Sequence, residues 1–205
     1  MVKICGLKNE QEVTWAIEAG ADFCGIVVFY EKSKRNLSIM DAEKLISQFK
    51  GKIKFVAVTV APGEIELGQI EDAGFDYVQI HGKLTAELME CVDIPIIKAF
   101  NVSDMSEFEK FKDCDKVAGF VFDANLPGSG LAFDYNLLNG LKLNKATDRF
   151  MLLAGGLNPD NVGEALQKTG FTSADTSSGV ENDNGIGKNR DKIFEFVKAV
   201  KSTSD

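Results

Sequence analysis

The stretches IEAGADFCGI (residues 17–26) and IEDAGFDYVQI (residues 70–80) read as two copies of one junction. In each, a helical pattern ends on glycine, an aspartate follows, and an apolar run begins. A glycine there can take the left-handed conformation that stops a helix. The run after it is short and almost unbroken by polar residues, which suits a strand covered on both faces. Working outward, similar runs occur at 2–5, 23–29, 53–60, 76–80, 94–99, 117–122, 150–154 and 172–176. Helical spacing fills the gaps. Val13, Ala16 and Ile17 share one face near the start, and Ile193, Phe196, Val197 and Val200 share one near the end. Gly20, Gly74 and Gly170 each mark a helix stop just before a strand.

Strict alternation of strand and helix predicts a parallel sheet with helical cover. Eight strands with roughly eight helices in 205 residues predict a closed (β/α)8 TIM barrel, a single domain spanning 1–205. An open doubly wound sheet is the alternative. It usually has fewer strands and often a G-x-G-x-x-G loop after the first, which CGLKNE is not. The tail STSD is expected to fray. Trp15 and the phenylalanines are read as core.

Composition narrows the function classes. With 44% hydrophobic and 26% charged residues the chain resembles ordinary globular proteins. No apolar run approaches the length of a membrane span, and no basic segment followed by an apolar one opens the chain; cytoplasmic residence is the expectation. A net charge of −8 opposes nucleic acid or an anionic membrane as partner. Cys5, Cys24, Cys91 and Cys114 stand far apart, which argues against a zinc site or a redox dithiol.

In a barrel of this kind the functional residues lie at the C-terminal ends of the strands and in the loops beyond. Those positions carry Cys5-Gly6, Ser33-Lys34-Arg35, Gln79-Ile80-His81-Gly82, Asp123 with Gly128-Ser129-Gly130, Gly155-Gly156, and Asp175 with Ser177, Ser178 and Gly179. Gly155 and Gly156 let backbone approach a ligand closely. Asn158 suits an N-cap and Pro159 a first helical position, leaving N–H groups that favour phosphate; a plain tight turn is the alternative. Asp123 is either a loop carboxylate or a general acid with a raised pKa. Cys5 is either packing or a base, and a base would need its pKa brought down from about 8.5. His81, the lone histidine, is read as lining the pocket. Arg35 is either solvated or a fork for a substrate carboxylate.

Taken together, KICGL, KSKRNLS, YVQIHG, GFVFD followed by GSGLAFDY, LAGGLNPDNV and DTSSGVE resemble, in order, the motifs of the phosphoribosylanthranilate isomerase family of tryptophan biosynthesis. The resemblance spans nearly the whole chain and implies a (β/α)8 barrel. It implies an Amadori rearrangement of N-(5-phosphoribosyl)anthranilate, a phosphosugar, to 1-(2-carboxyphenylamino)-1-deoxyribulose 5-phosphate, with no cofactor and no metal. Carried over by motif, Cys5 is the general base and Asp123 the general acid. Arg35 binds the anthranilate carboxylate, Asp175 and His81 line the site, and backbone around Gly155, Gly156, Ser178 and Gly179 holds phosphate. A monomer or weak homodimer is expected. Two stretches depart from the family pattern. Lys34 stands where the family usually has proline, which is expected to loosen the loop carrying Arg35. NDNGIGKNRDKI (182–193) is longer than the usual approach to the last helix. Competing readings are a metal-dependent sugar-phosphate epimerase, which the single histidine disfavours, and a non-catalytic phosphosugar-binding barrel.

Overall fold

The structure, a computed structural model, describes residues 1–123 and 147–203, and only the backbone of 102–105. Its strands are β1 (Val2–Cys5), β2 (Phe23–Val27), β3 (Lys54–Val60), β4 (Tyr77–His81), β5 (Ile96–Asn101), β6 (Val117–Asp123), β7 (Phe150–Ala154) and β8 (Ala174–Thr176). All pair in parallel with their sequence neighbours, and β8 closes on β1 to complete the barrel. At the closure Lys3 sits beside Asp175 and Ile4 beside Thr176.

The helices are α1 (Glu10–Ala19), α2 (Ile39–Phe49), α3 (Glu64–Asp72), α4 (Ala86–Glu90), α5 (Val162–Thr169) and α6 (Arg190–Thr203). In the fifth unit the cover is a 3-10 helix, Val102–Lys110, rather than an α-helix, and the connection from β6 to β7 lies outside the described residues. Aromatic packing compensates for the missing α-helix. Phe108 lies 5.0 Å from Phe120 and 5.8 Å from Phe122, and Phe100 stacks on both of those rings at 6.0 and 5.9 Å. Gly20 and Gly170 close α1 and α5 in the left-handed conformation, as their position before a strand predicts. Ser202 and Thr203 of the tail continue α6, the Thr203 hydroxyl donating to Ala199 O, and 204–205 lie outside the described residues. Trp15 packs partly buried on the outer core.

Strand residues alternate between two apolar layers. Ile4, Ile26, Phe55, Val78, Phe120 and Leu153 face the helices, where Val13, Leu45, Ile70, Leu166 and Phe196 meet them. Phe23, Val56, Val58, Ile97, Val121 and Leu152 fill the barrel itself. Its N-terminal end is plugged by Phe23, Tyr77 and Phe150, with centroids 5.5–6.2 Å apart. The apolar filling stops short of the C-terminal ends, where polar side chains take over.

Candidate active site

At that end a cavity of about 250 Å³ opens, lined by Cys5, Ser33, Arg35, Gln79, His81, Asp123, Gly155, Gly156, Asp175 and Ser178, among others. The residues put forward as catalytic, substrate-binding or phosphate-binding therefore meet in one place, except Gly179, which packs behind the wall; of the other strand-end positions Gly6, Lys34, Ile80 and Gly82 do not line the cavity. Gly128, Ser129 and Gly130 fall outside the described residues. Cys5 ends β1 and Asp123 ends β6, so a thiol and a carboxyl from non-adjacent strands border the same space.

Gly179 has a structural role that its position in DTSSGVE did not reveal. A Cβ there would stand 1.9 Å from Leu157 O, so only glycine lets the loop after β8 press against the loop after β7. Thr176 Oγ1 donates to the same carbonyl at 2.7 Å. The two loops thus form one wall, with Gly155 and Gly156 in positive-φ conformations beside Ser178. The helix-start reading needs correction. Helix α5 begins at Val162, not Pro159. Asn158 Oδ1 accepts from the N–H groups of Asp160 and Asn161 at 2.9 and 3.1 Å, and Asn158 N–H donates to Asn161 Oδ1. Those donors are spent within the turn, and the part of this stretch that lines the cavity is Gly155, Gly156 and Leu157.

Arg35 lines the cavity while its Nε donates to Glu181 Oε1 at 2.6 Å. Glu181, which the strand-end survey did not consider, is 7% exposed and gathers three cations. Lys34 Nζ reaches its Oε2 at 2.8 Å and Lys188 Nζ stands 3.6 Å from Oε1. Burial pushes its carboxyl up, but bonds from Arg35 and Lys34 outweigh this and hold it below the usual range. Lys34 also donates to Gly185 O at 2.8 Å. The loop expected to loosen without proline is instead tied to the long 182–193 segment, so the two departures from the family pattern support each other.

Lys3 is the other residue missed. It is completely buried, and its Nζ donates to Asp175 Oδ2 at 3.0 Å. Burial works against its charge, but Asp175 and Cys5 outweigh that and raise its pKa. Burial pushes Asp175 up and Lys3 pulls it back; at 3.0 Å, a fully buried ammonium and carboxylate are held as an ion pair. Asp175 Oδ1 and Gln79 Oε1 are buried without a protein partner among the described residues, and both side chains line the cavity. Burial also raises the Cys5 thiol, against the pull of Lys3 and Lys188. A base at this position would need its pKa brought down, and in this geometry burial outweighs both cations. Burial, with the charges of Lys3 and Lys98, lowers His81 to about 4, so its ring is neutral near pH 7. Gln79 Nε2 lies 2.8 Å from His81 Nε2. Among the described residues no three His, Cys, Asp or Glu side chains converge to hold a metal ion.

Comparison with known proteins adds four findings. The family model described as N-(5'-phosphoribosyl)anthranilate isomerase matches residues 2–199. The N-(5'-phosphoribosyl)anthranilate isomerase of Streptococcus gordonii is 38% identical over 202 residues, covering 98% of this chain and 97% of that one. The crystal structure of phosphoribosyl anthranilate isomerase from Thermotoga maritima superposes with a TM-score of 0.84 at 33% identity, covering 98% of each chain. Another solved structure, of a phosphoribosyl anthranilate isomerase in complex with reduced 1-(o-carboxyphenylamino)-1-deoxyribulose 5-phosphate, matches at 0.81 and 32% identity, again over 98% of each chain.

Proposed function

The chain belongs to the N-(5'-phosphoribosyl)anthranilate isomerase family and catalyses the corresponding step of tryptophan biosynthesis; within that activity we propose that Cys5 and Asp123 are its base and acid. The reaction is an Amadori rearrangement of an aminoaldose to an aminoketose. Asp123, as the protonated acid, gives its proton to the furanose ring oxygen. The C1′–O bond breaks as the nitrogen lone pair forms a Schiff base. Cys5, as the thiolate, takes the C2′ proton, and the electron pair neutralises the iminium to give an enolamine. Tautomerisation then gives the ketone.

One observation carries this reading: a thiol and a carboxyl from non-adjacent strands border one cavity whose lining also holds Arg35 and the Gly155-Gly156 pair. The remaining residues suit a substrate with an anion at each end. Arg35, set by Glu181, takes the anthranilate carboxylate as a planar fork. Its terminal nitrogens carry no protein bond among the described residues. Backbone around Gly155, Gly156, Ser178 and Gly179 takes the phosphate, and binding at that distance orients the sugar carbons. Asp175 Oδ1, buried on the cavity wall, accepts from a sugar hydroxyl, and His81, neutral, lines the same pocket. No helix among the described residues is long and apolar enough to cross a membrane. Cytoplasmic residence, a single domain over 1–205, and a monomer or weak homodimer complete the proposal.

The test is turnover of freshly made phosphoribosylanthranilate, followed by its fluorescence. Cys5→Ala and Asp123→Asn should each lower kcat by about 10² or more, the usual scale of general acid–base catalysis. Unchanged kcat in either variant removes that residue's role.

A further inference from the structure

We propose that Lys3 is a positioning residue for the reaction: its ammonium, buried inside the barrel, is the counter-ion that lets the Cys5 thiol ionise and that aims Asp175 at the substrate. The inference rests on Cys5 being the base.

The geometry starts from Gly25 on β2. A Cβ built there would meet Cys5 Sγ and Lys3 Nζ at the same distance, 3.1 Å. The thiol and the ammonium therefore converge on one small space, which exists because β2 carries no side chain at that point. Lys3 and Cys5 are two apart on β1, so both point inward. Asp175 is Lys3's register partner on β8 and takes the same Nζ at 3.0 Å. One ammonium thus serves a carboxylate on one side and a thiol on the other. Lys3 holds the carboxylate by Oδ2, which leaves the buried Oδ1 on the cavity wall without a protein donor among the described residues.

Lysine is rarely buried completely unless paired, and the Asp175 pair accounts for its charge. It does not account for the empty space over Gly25 that brings the thiol to the same nitrogen. A base made from a buried thiol needs a cation beside it, because burial alone keeps it protonated. The other charged or titratable groups around the thiol are Asp175 from β8, Lys188 from the loop after it, Asp123 from β6, His81 from β4, Arg35 from the loop after β2 and the buried thiol Cys24 from β2 itself, which burial keeps protonated. Of these, Lys188 is engaged with Ser177 O at 2.9 Å, and Asp175 opposes ionisation. When substrate donates to Asp175 Oδ1, that carboxylate draws less on Lys3, and more of the ammonium's field falls on the thiol.

The experiment reads the thiolate directly, without turnover. The full-length protein is treated with iodoacetamide from about pH 7 to about pH 10, and alkylation at Cys5 is followed by peptide mass spectrometry. Lys3→Met should slow alkylation of Cys5 near pH 8 by about tenfold or more, the equivalent of one pKa unit or more. Asp175→Asn should move it the other way, because it frees the ammonium. A merely structural lysine would not produce opposite shifts. If Lys3→Met does not fold, Lys3→Met/Asp175→Asn removes both charges together, and its Cys5 should still react about tenfold more slowly than in Asp175→Asn alone. Equal rates in Lys3→Met and the parent, or in the double variant and Asp175→Asn, overturn the inference. Retained turnover in Cys5→Ala would instead overturn the assignment of the base and leave the alkylation result standing.

Discussion

At the scale of the residue, positions at strand ends were readable and their partners were not. Cys5, Arg35, His81, Asp123 and Asp175 could be picked out because each lies at a strand end or in the loop just beyond it, where a barrel opens. Lys3 carried a signal of its own, as the one charge inside VKIC. Its partner lies 172 residues away, a separation across which no local pattern reports. Glu181 was equally silent, because its three cations come from two separate loops. His81 yields a test with a defined sign. Its pKa is about 4 in the folded chain against about 6.5 unfolded. Between those values the unfolded state binds the extra proton, so the contribution is full above about pH 6.5 and is lost as pH falls toward 4. Urea unfolding at about pH 7 and about pH 4.5 should show His81→Gln losing about 2 kcal/mol less than the parent over that interval. An equal loss in both would show that His81 is not held neutral by the fold.

At the scale of the element, the strands came within two residues of their observed bounds because their apolar runs are sharply edged. The helices were harder. Unit five lacks a regular α-helix: its cover depends on Phe108 and Phe111 reaching strand phenylalanines, a contact invisible in local spacing. Asn158-Pro159 looked like a helix start, yet paired side-chain bonds between Asn158 and Asn161 close a separate turn first. The β7 and β8 loops are joined through Gly179, and this gives the element-scale prediction. Gly179→Ala places a methyl carbon 1.9 Å from Leu157 O. The loops must separate, at a cost of about 1–3 kcal/mol, the usual penalty for overpacking. Because that wall is assigned to phosphate, KM should rise about tenfold or more while kcat changes less. A KM within twofold of the parent would detach the phosphate from these loops.

At the scale of the whole molecule, the barrel separates a stabilising end from a reactive one. Phe150 lies in the plug at the N-terminal end, stacked on Phe23 at 5.5 Å, and its ring fills the space over Gly119. Phe150→Ala should cost about 3 kcal/mol in urea unfolding and leave kcat near the parent value, because the plug is far from the strand ends. A lost kcat with unchanged stability would contradict that division. The alternation of apolar runs, stop glycines and helical faces was enough to predict eight parallel strands closed into a barrel, since each of those signals is local and repeats unit by unit. Strand-end position was enough to nominate Cys5, Asp123 and the loops after β7 and β8 as candidates, and the family resemblance supplied the roles proposed for them. The charges behind them were decided by closure. Setting β8 against β1 puts Asp175 beside Lys3, and Gly25 leaves room for the same ammonium to reach Cys5. Ionisation in a buried site depends on distance and solvent exclusion, and both are properties of the assembled barrel rather than of any segment of the chain.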